Sequence, residues 1–122
     1  MMHKRGQCKV LFIDYLQLLS STVDKKYNRE QEIAQISGQA KALAKELNIP
    51  VVLLSQLNRD CEKRTDKKPE LSDLRESGAI EQDADIVMLV YRPEYYGLKA
   101  MDGEPIKNVG KLIVAKHRDG PV

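Results

Sequence analysis

The chain has 122 residues, room for one compact domain, and 42% of them are hydrophobic against 31% charged. That balance excludes a disordered polymer, and no apolar run reaches the roughly 18 residues that cross a bilayer. Twenty Lys and Arg against eighteen Asp and Glu leave a net charge of +2, so any affinity for nucleic acid must come from local placement of charge.

Cys8 to Ile13 is a short apolar run with β-branched and aromatic residues, and it closes on Asp14; it predicts a buried strand. Tyr15 to Leu19 continues apolar into a polar loop at Ser20–Thr22. The clearest helix comes next. Asn28 is placed to cap it with Gln31 three residues on, and Ile33, Ile36, Ala40, Leu43, Ala44 and Leu47 recur on one face. Asn48 and Pro50 end it. Val51–Leu54 then reads as a second buried strand with Ser55-Gln56 at its end. Strand, helix and strand with a short return is the βαβ pattern of a parallel sheet.

Arg59 to Glu70 is polar without periodicity and reads as a loop. Leu71 to Asp83 holds a short helix starting near Ser77 or Ala79. Ile86–Tyr91 predicts a third strand, and Pro93–Asn108, with Gly97, Gly103 and Pro105, a loop. Val109–Ala115 predicts a fourth strand, running into Lys116-His117-Arg118. Cys8 and Cys61 stand far apart in no metal-ligand spacing, which argues against a disulfide framework and fits a reducing cytoplasm. No secretory signal pattern opens the chain, and both ends read as cut.

Four groups of residues can carry chemistry. Asp14 ends an apolar strand, where open α/β sheets bind ligands, and a carboxylate there can hold Mg²⁺ through water. It reads equally as a loop cap. Gln56 can orient a water or touch a phosphate, or satisfy loop backbone. Lys116 and Arg118 lie two apart, and strand alternation puts them on one face with His117 on the other. Two adjacent cations suit an anion between them, or simply a solvated strand end. Asp73-Leu74-Arg75-Glu76-Ser77-Gly78 leads into a helix; it suits a phosphate backbone or an ordinary Ser-capped start.

The order and wording of these groups are more telling than any one of them. FIDYLQLLS (Phe12–Ser20), VVLLSQLNR (Val51–Arg59), PELSDLRESGAIEQDADIVMLVYR (Pro69–Arg92) and IVAKHRDGP (Ile113–Pro121) resemble successive motifs of the bacterial replicative DNA helicases of DnaB type. The resemblance runs from about Cys8 to Pro121. It implies an α/β fold: one domain over residues 1–122 forming part of a RecA-like P-loop NTPase core, with a mainly parallel sheet and flanking helices.

The resemblance also implies roles. Asp14 matches the Walker B aspartate on Mg²⁺, and Gln56 the glutamine that senses the γ-phosphate of ATP. Arg75, Glu76 and Gly78 match the loop that tracks single-stranded DNA. Lys116 and Arg118 match the pair inserted into the neighbouring subunit's nucleotide site, with Arg118 as arginine finger. The implied partners are five further copies in a homohexamer, primase and a helicase loader, with no membrane. Three features depart from the family. There is no GxxxxGK[ST] run; no glutamate adjoins Asp14 as catalytic base, and the one the family carries upstream, after the phosphate loop, is missing too; and Val122 stands where Thr is usual.

These residues thus read as part of an ATP-dependent helicase that is inactive alone, or as a non-enzymatic DNA-binding or self-associating module. A related recombinase or clock ATPase would share the fold but not the DLRESGAIEQDAD wording. In the fold the resemblance implies, the phosphate-loop strand sits between the strand ending at Gln56 and Ile86–Tyr91. Without it two strand edges carry unpaired backbone groups. Edge-mediated self-association is therefore expected. Light scattering should show a mass that rises with concentration, and a constant monomer mass at normal stability counts against it.

Overall fold

In the computed structural model, which describes residues 6–16, 29–74, 78–97, 100–101 and 104–122, regular structure begins with β1 (Leu11–Ile13). It lies parallel to β2 (Val51–Leu53), with Leu11, Phe12 and Ile13 opposite Val51, Val52 and Leu53. The Leu11 amide donates to the Pro50 carbonyl at 3.0 Å and the Leu54 amide to the Ile13 carbonyl at 2.9 Å. The crossover between them contains α1 (Arg29–Leu47). Its expected cap, Asn28, lies outside the described residues, as does the Ser20–Thr22 loop.

Helix α1 ends as expected. Asn48 takes the left-handed conformation, φ 52°, that Asn tolerates at a helix terminus, and the Ile49 amide donates to the Ala44 carbonyl at 3.2 Å. Its buried residues are Ile33, Ile36 and Ser37, whereas Ala40, Leu43, Ala44 and Leu47 farther along the expected face are only half-buried. Ile33 and Ile36 pack with Leu16, Ile80 and Leu53 into one apolar cluster. Ile80 comes from α2 (Gly78–Asp83), the short helix expected in this region. The buried Ser37 hydroxyl donates to the Asp83 carboxylate at 2.9 Å, so a charge-assisted hydrogen bond ties α2 to α1 beside the apolar contact.

The chain divides into two compact units, and these elements belong to the first, the described residues of Met1–Gln56 with Glu76–Ala84. The second takes those of Leu57–Arg75 and Asp85–Val122. It is built on β3 (Ile86–Tyr91) and β6 (Lys111–His117), with β4 (Ala100–Met101) and β5 (Glu104–Pro105) forming a small antiparallel hairpin between them in sequence. β3 and β6 are antiparallel. The parallel component of the expected sheet is therefore β1–β2, and the other two described sheets are antiparallel pairs. The reason is the connection. Between β3 and β6 the chain makes a 3-10 helix (Pro93–Tyr96) and that hairpin, and no described residue of the connection forms the crossover helix that usually joins parallel neighbours.

The third predicted strand is present as β3, and the fourth, expected over Val109–Ala115, runs over Lys111–His117 as β6. β3 is apolar throughout and alternates in exposure: Val87, Leu89 and Tyr91 are buried while Ile86, Met88 and Val90 are exposed. Leu112 and Val114 of β6 are exposed too, so the pair presents an apolar face, with His117 at its end beside Ile86, as well as a buried one. Likewise Phe12 of β1, expected inside, is 64% exposed. A two-stranded ribbon alternates its side chains between two faces, and apolar composition cannot say which face is covered.

The Ser37–Asp83 bond predicts a measurable loss. Ser37→Ala keeps the helix propensity of α1 but leaves the Asp83 carboxylate without this donor, at a cost of about 1–2 kcal/mol. Urea unfolding should shift accordingly, and α2 amides should exchange faster. Unchanged exchange across α2 would show that Ile80 alone holds this helix.

Candidate functional site

Parallel pairing brings two of the expected residues to one end. Since Ile13 stands opposite Leu53, Asp14 sits at the carboxyl end of β1 and Gln56 three residues beyond the carboxyl end of β2. Both strands point the same way, so both residues emerge on the same edge of the pair, where α/β sheets take ligands. Asp14 and Gln56 are exposed. The Leu16 amide donates to the Leu54 carbonyl at 2.8 Å, which carries the backbone pairing past Asp14 and fixes the turn that presents it. The donor set fits Mg²⁺ through water. Mg²⁺ binds one or two carboxylates with most of its water retained, and Asp14 offers one exposed carboxylate at a strand end. Asp14 would be the protein ligand.

The antiparallel ladder sets the two cations. Lys116 stands opposite Val87 and His117 opposite Ile86, with the register shifting between Val87 and Met88 so that Ala115 has no partner of its own. Lys116 thus shares the face of buried Val87 and is half-buried, while His117 takes the other face. Arg118 lies one residue beyond β6. Its guanidinium donates to the Asp85 carboxylate at 3.0 Å and its amide to the Asp85 carbonyl at 2.9 Å. The sequence shows no acidic partner upstream of Arg118 on its own strand; the ladder supplies one from 33 residues earlier. The signal was present in principle. Asp85 directly precedes β3 and Arg118 directly succeeds β6, and an antiparallel register makes such residues cross-strand neighbours.

Arg75 and Glu76 lie outside the described residues. Gly78 is exposed as the first residue of α2, and a Cβ built on it would meet nothing within 4 Å, so its backbone is open to approach. The chain leading up to this segment is firmly built. The region expected to be loop holds a 3-10 helix (Arg59–Lys63), which the Asn58 side chain caps by accepting from the Asp60 amide at 3.2 Å. A second 3-10 helix (Leu71–Asp73) comes after it. The buried Asp73 carboxylate accepts from the Arg64 guanidinium at 3.1 Å through one oxygen and again through the other, and from the Glu70 amide at 2.7 Å. The Asn58 amide donates to the Asp73 carbonyl at 2.8 Å. Periodicity misses such a staple because its residues are polar and its helices have one or two turns.

A shallow concavity of about 120 Å³ in this unit is lined by Arg59, Cys61, Lys67, Tyr91 and Tyr96 among others. None of the expected site residues lines it. Burial pushes the Cys61 thiol up, with the Asp73 charge adding to the shift.

Over residues 1–122 the chain matches the family described as the DnaB-like helicase C terminal domain. A relative named replicative DNA helicase DnaB from Rickettsia felis is 53% identical over 99% of the chain, which covers 27% of that protein. The protein of the same name from Geobacillus stearothermophilus is 53% identical over 93% of the chain and 24% of its own length. The chain therefore spans about a quarter of the curated relatives it matches. Among solved structures, one described as an ATPase domain superposes with a TM-score of 0.83 at 49% identity, covering 92% of this chain and 38% of that one. A DnaB-like replicative helicase described with its interactions with primase gives 0.81 at 50% identity over 92% of this chain and 26% of that one. The fold is accordingly that of part of a RecA-like ATPase core.

The Asp73 staple sets an acid limit on the second unit. Its Arg64 partner holds the Asp73 carboxyl below the usual carboxylate range, with the Glu70 amide assisting. A depressed folded value means stability that is present above the unfolded value of about 4 and lost as pH falls through the folded one. Acid unfolding followed by circular dichroism should therefore steepen below about pH 4. Asp73→Asn should flatten that limb while lowering neutral stability by about 1–3 kcal/mol. An identical acid limb in the variant would refute the assignment.

Proposed function

The chain belongs to the DnaB-like helicase C-terminal domain family, and from that premise we propose that it is the later part of the motor of an ATP-dependent replicative DNA helicase. The intact protein unwinds duplex DNA at the fork, in the cytoplasm, as a homohexamer that binds ATP, Mg²⁺ and single-stranded DNA and works with primase and a helicase loader. The observation that carries this reading is the placement of Asp14 and Gln56 on one edge of a parallel pair, within a chain that carries the family's motifs in order.

Each residue then has a physical task. Asp14 would hold Mg²⁺, which when bound would supply charge neutralisation for the triphosphate. Gln56, one strand over, donates its amide to the γ-phosphate and reports whether it is present. Lys116 and Arg118 reach the nucleotide site of the neighbouring subunit, where Arg118 offers a planar fork to phosphate oxygens and Lys116 a point charge. Arg75, Glu76 and Gly78 track the backbone of one DNA strand, with Gly78 open to close approach. Phosphoryl transfer is governed by positioning and charge stabilisation, so residues delivered from separate elements suffice if they converge.

Within these 122 residues no GxxxxGK[ST] run cradles the phosphates and no glutamate adjoins Asp14. That favours a second reading for the chain taken alone, a DNA-binding module without turnover. Purified chain should accordingly show no measurable ATP hydrolysis; steady turnover that disappears in Asp14→Ala would contradict this. Mixed with a separately produced polypeptide bearing the phosphate loop, it should regain DNA-stimulated hydrolysis. Arg118→Ala should then lose about 10³-fold or more of the rate. Recovery that is indifferent to Arg118 would sink the trans role.

A further inference from the structure

The β3–β6 ladder ends with Ile86 opposite His117, so the next residues outward are Asp85 and Arg118. They are joined twice, amide to carbonyl at 2.9 Å and guanidinium to carboxylate at 3.0 Å. The backbone bond fixes where residue 118 sits, and the side-chain bond fixes where its guanidinium points. Both side chains remain open to water, Arg118 at 44% and Asp85 at 56% exposure. An exposed ion pair contributes little to folding and exchanges readily. A long arginine side chain without such a partner spreads over many rotamers. The pair therefore restrains Arg118 without burying it, and a phosphate group, carrying more charge than one carboxylate, can take its place.

Resting on the reading of Arg118 as the residue that reaches a neighbour's nucleotide, we propose that Asp85 is its positioning residue: it holds the Arg118 guanidinium at the end of β6 and releases it to an incoming polyphosphate. Asp85 then opposes that ligand in two ways. It competes for the same guanidinium, and its own charge repels the phosphate within a Debye length. Lys116, two residues back, and Asp119, one residue on, are the other charged side chains adjoining Arg118 in sequence. Neither stands opposite it in the ladder. Arginine selects phosphate by its fork; Asp85 sets where the fork waits.

Titrating the 122-residue chain with tripolyphosphate tests this, read by amide shifts at residues 116–118 and by the Arg118 Nε–H signal. Asp85→Asn should raise affinity about three- to fivefold, because removing an exposed charge partner shifts an equilibrium by that order. It should also move the Arg118 Nε–H signal toward that of a solvated arginine. Asp85→Glu, which keeps the charge, should restore the parent affinity and signal. A merely structural role predicts no such rescue pattern. Equal affinity in the parent and Asp85→Asn, with Arg118→Ala weakening both, would overturn the positioning role and leave Arg118 as a phosphate ligand. Binding that Arg118→Ala does not weaken in either background would instead remove the phosphate role of Arg118, and this inference with it.

Discussion

Three residues of parallel backbone pairing decide where the first unit can do chemistry. Because β1 and β2 run the same way in register, the chain leaves both strands on one edge, placing Asp14 directly past β1 and Gln56 three residues past β2. A parallel pair needs a crossover, and α1 provides it by laying Ile33 and Ile36 against Leu16, Leu53 and Ile80. The apolar cluster thus has a consequence beyond packing. It holds the two strand ends level, and through Ile80 and the Ser37–Asp83 bond it also anchors the helix that begins at Gly78.

The second unit is built on an antiparallel ladder instead. Its ladder buries Val87, Leu89 and Tyr91 on one face and leaves Ile86, Met88, Val90, Leu112 and Val114 in water on the other. A contiguous apolar face of this kind is uncommon on a monomeric domain. It is what a sheet layer looks like when only one of its two faces is covered by the residues at hand. Antiparallel pairing still gives tight control of register, and the register alone brings residue 118 opposite residue 85.

Element existence was legible where the hydrophobic pattern was long: α1 with its termination at Asn48, β2, β3 and β6 all lie where periodicity and breakers put them. Strand direction was less legible. An apolar run such as Ile86–Tyr91 suits a buried parallel strand and a half-covered antiparallel one equally, and only the path of residues 92–110 separates the two. The polar stretch from Arg59 to Glu70 carries no periodic signal, yet it is held by Asn58, Arg64 and Asp73. Short 3-10 helices and long-range ion pairs leave no repeat to detect. The motif wording singles out Asp14, Gln56, Lys116 and Arg118 as candidates, whereas the contact of Asp85 with Arg118 needs a register, which a linear reading does not contain.

The two Arg–Asp pairs of the second unit show how burial alone assigns different tasks to the same chemistry. Arg64 and Asp73 meet with the carboxylate 5% exposed, and that carboxylate also takes the Glu70 amide. Removing Arg64 strands the Asp73 carboxylate away from water, so the pair behaves as a fixed staple for the segment up to Leu74. Arg118 and Asp85 meet at a similar distance with both side chains largely in solvent. Water replaces either partner at small cost, so this contact sets a resting direction without locking it. The same two side-chain types thus give a fixed contact where the carboxylate is buried and an exchangeable one where both partners stay in water.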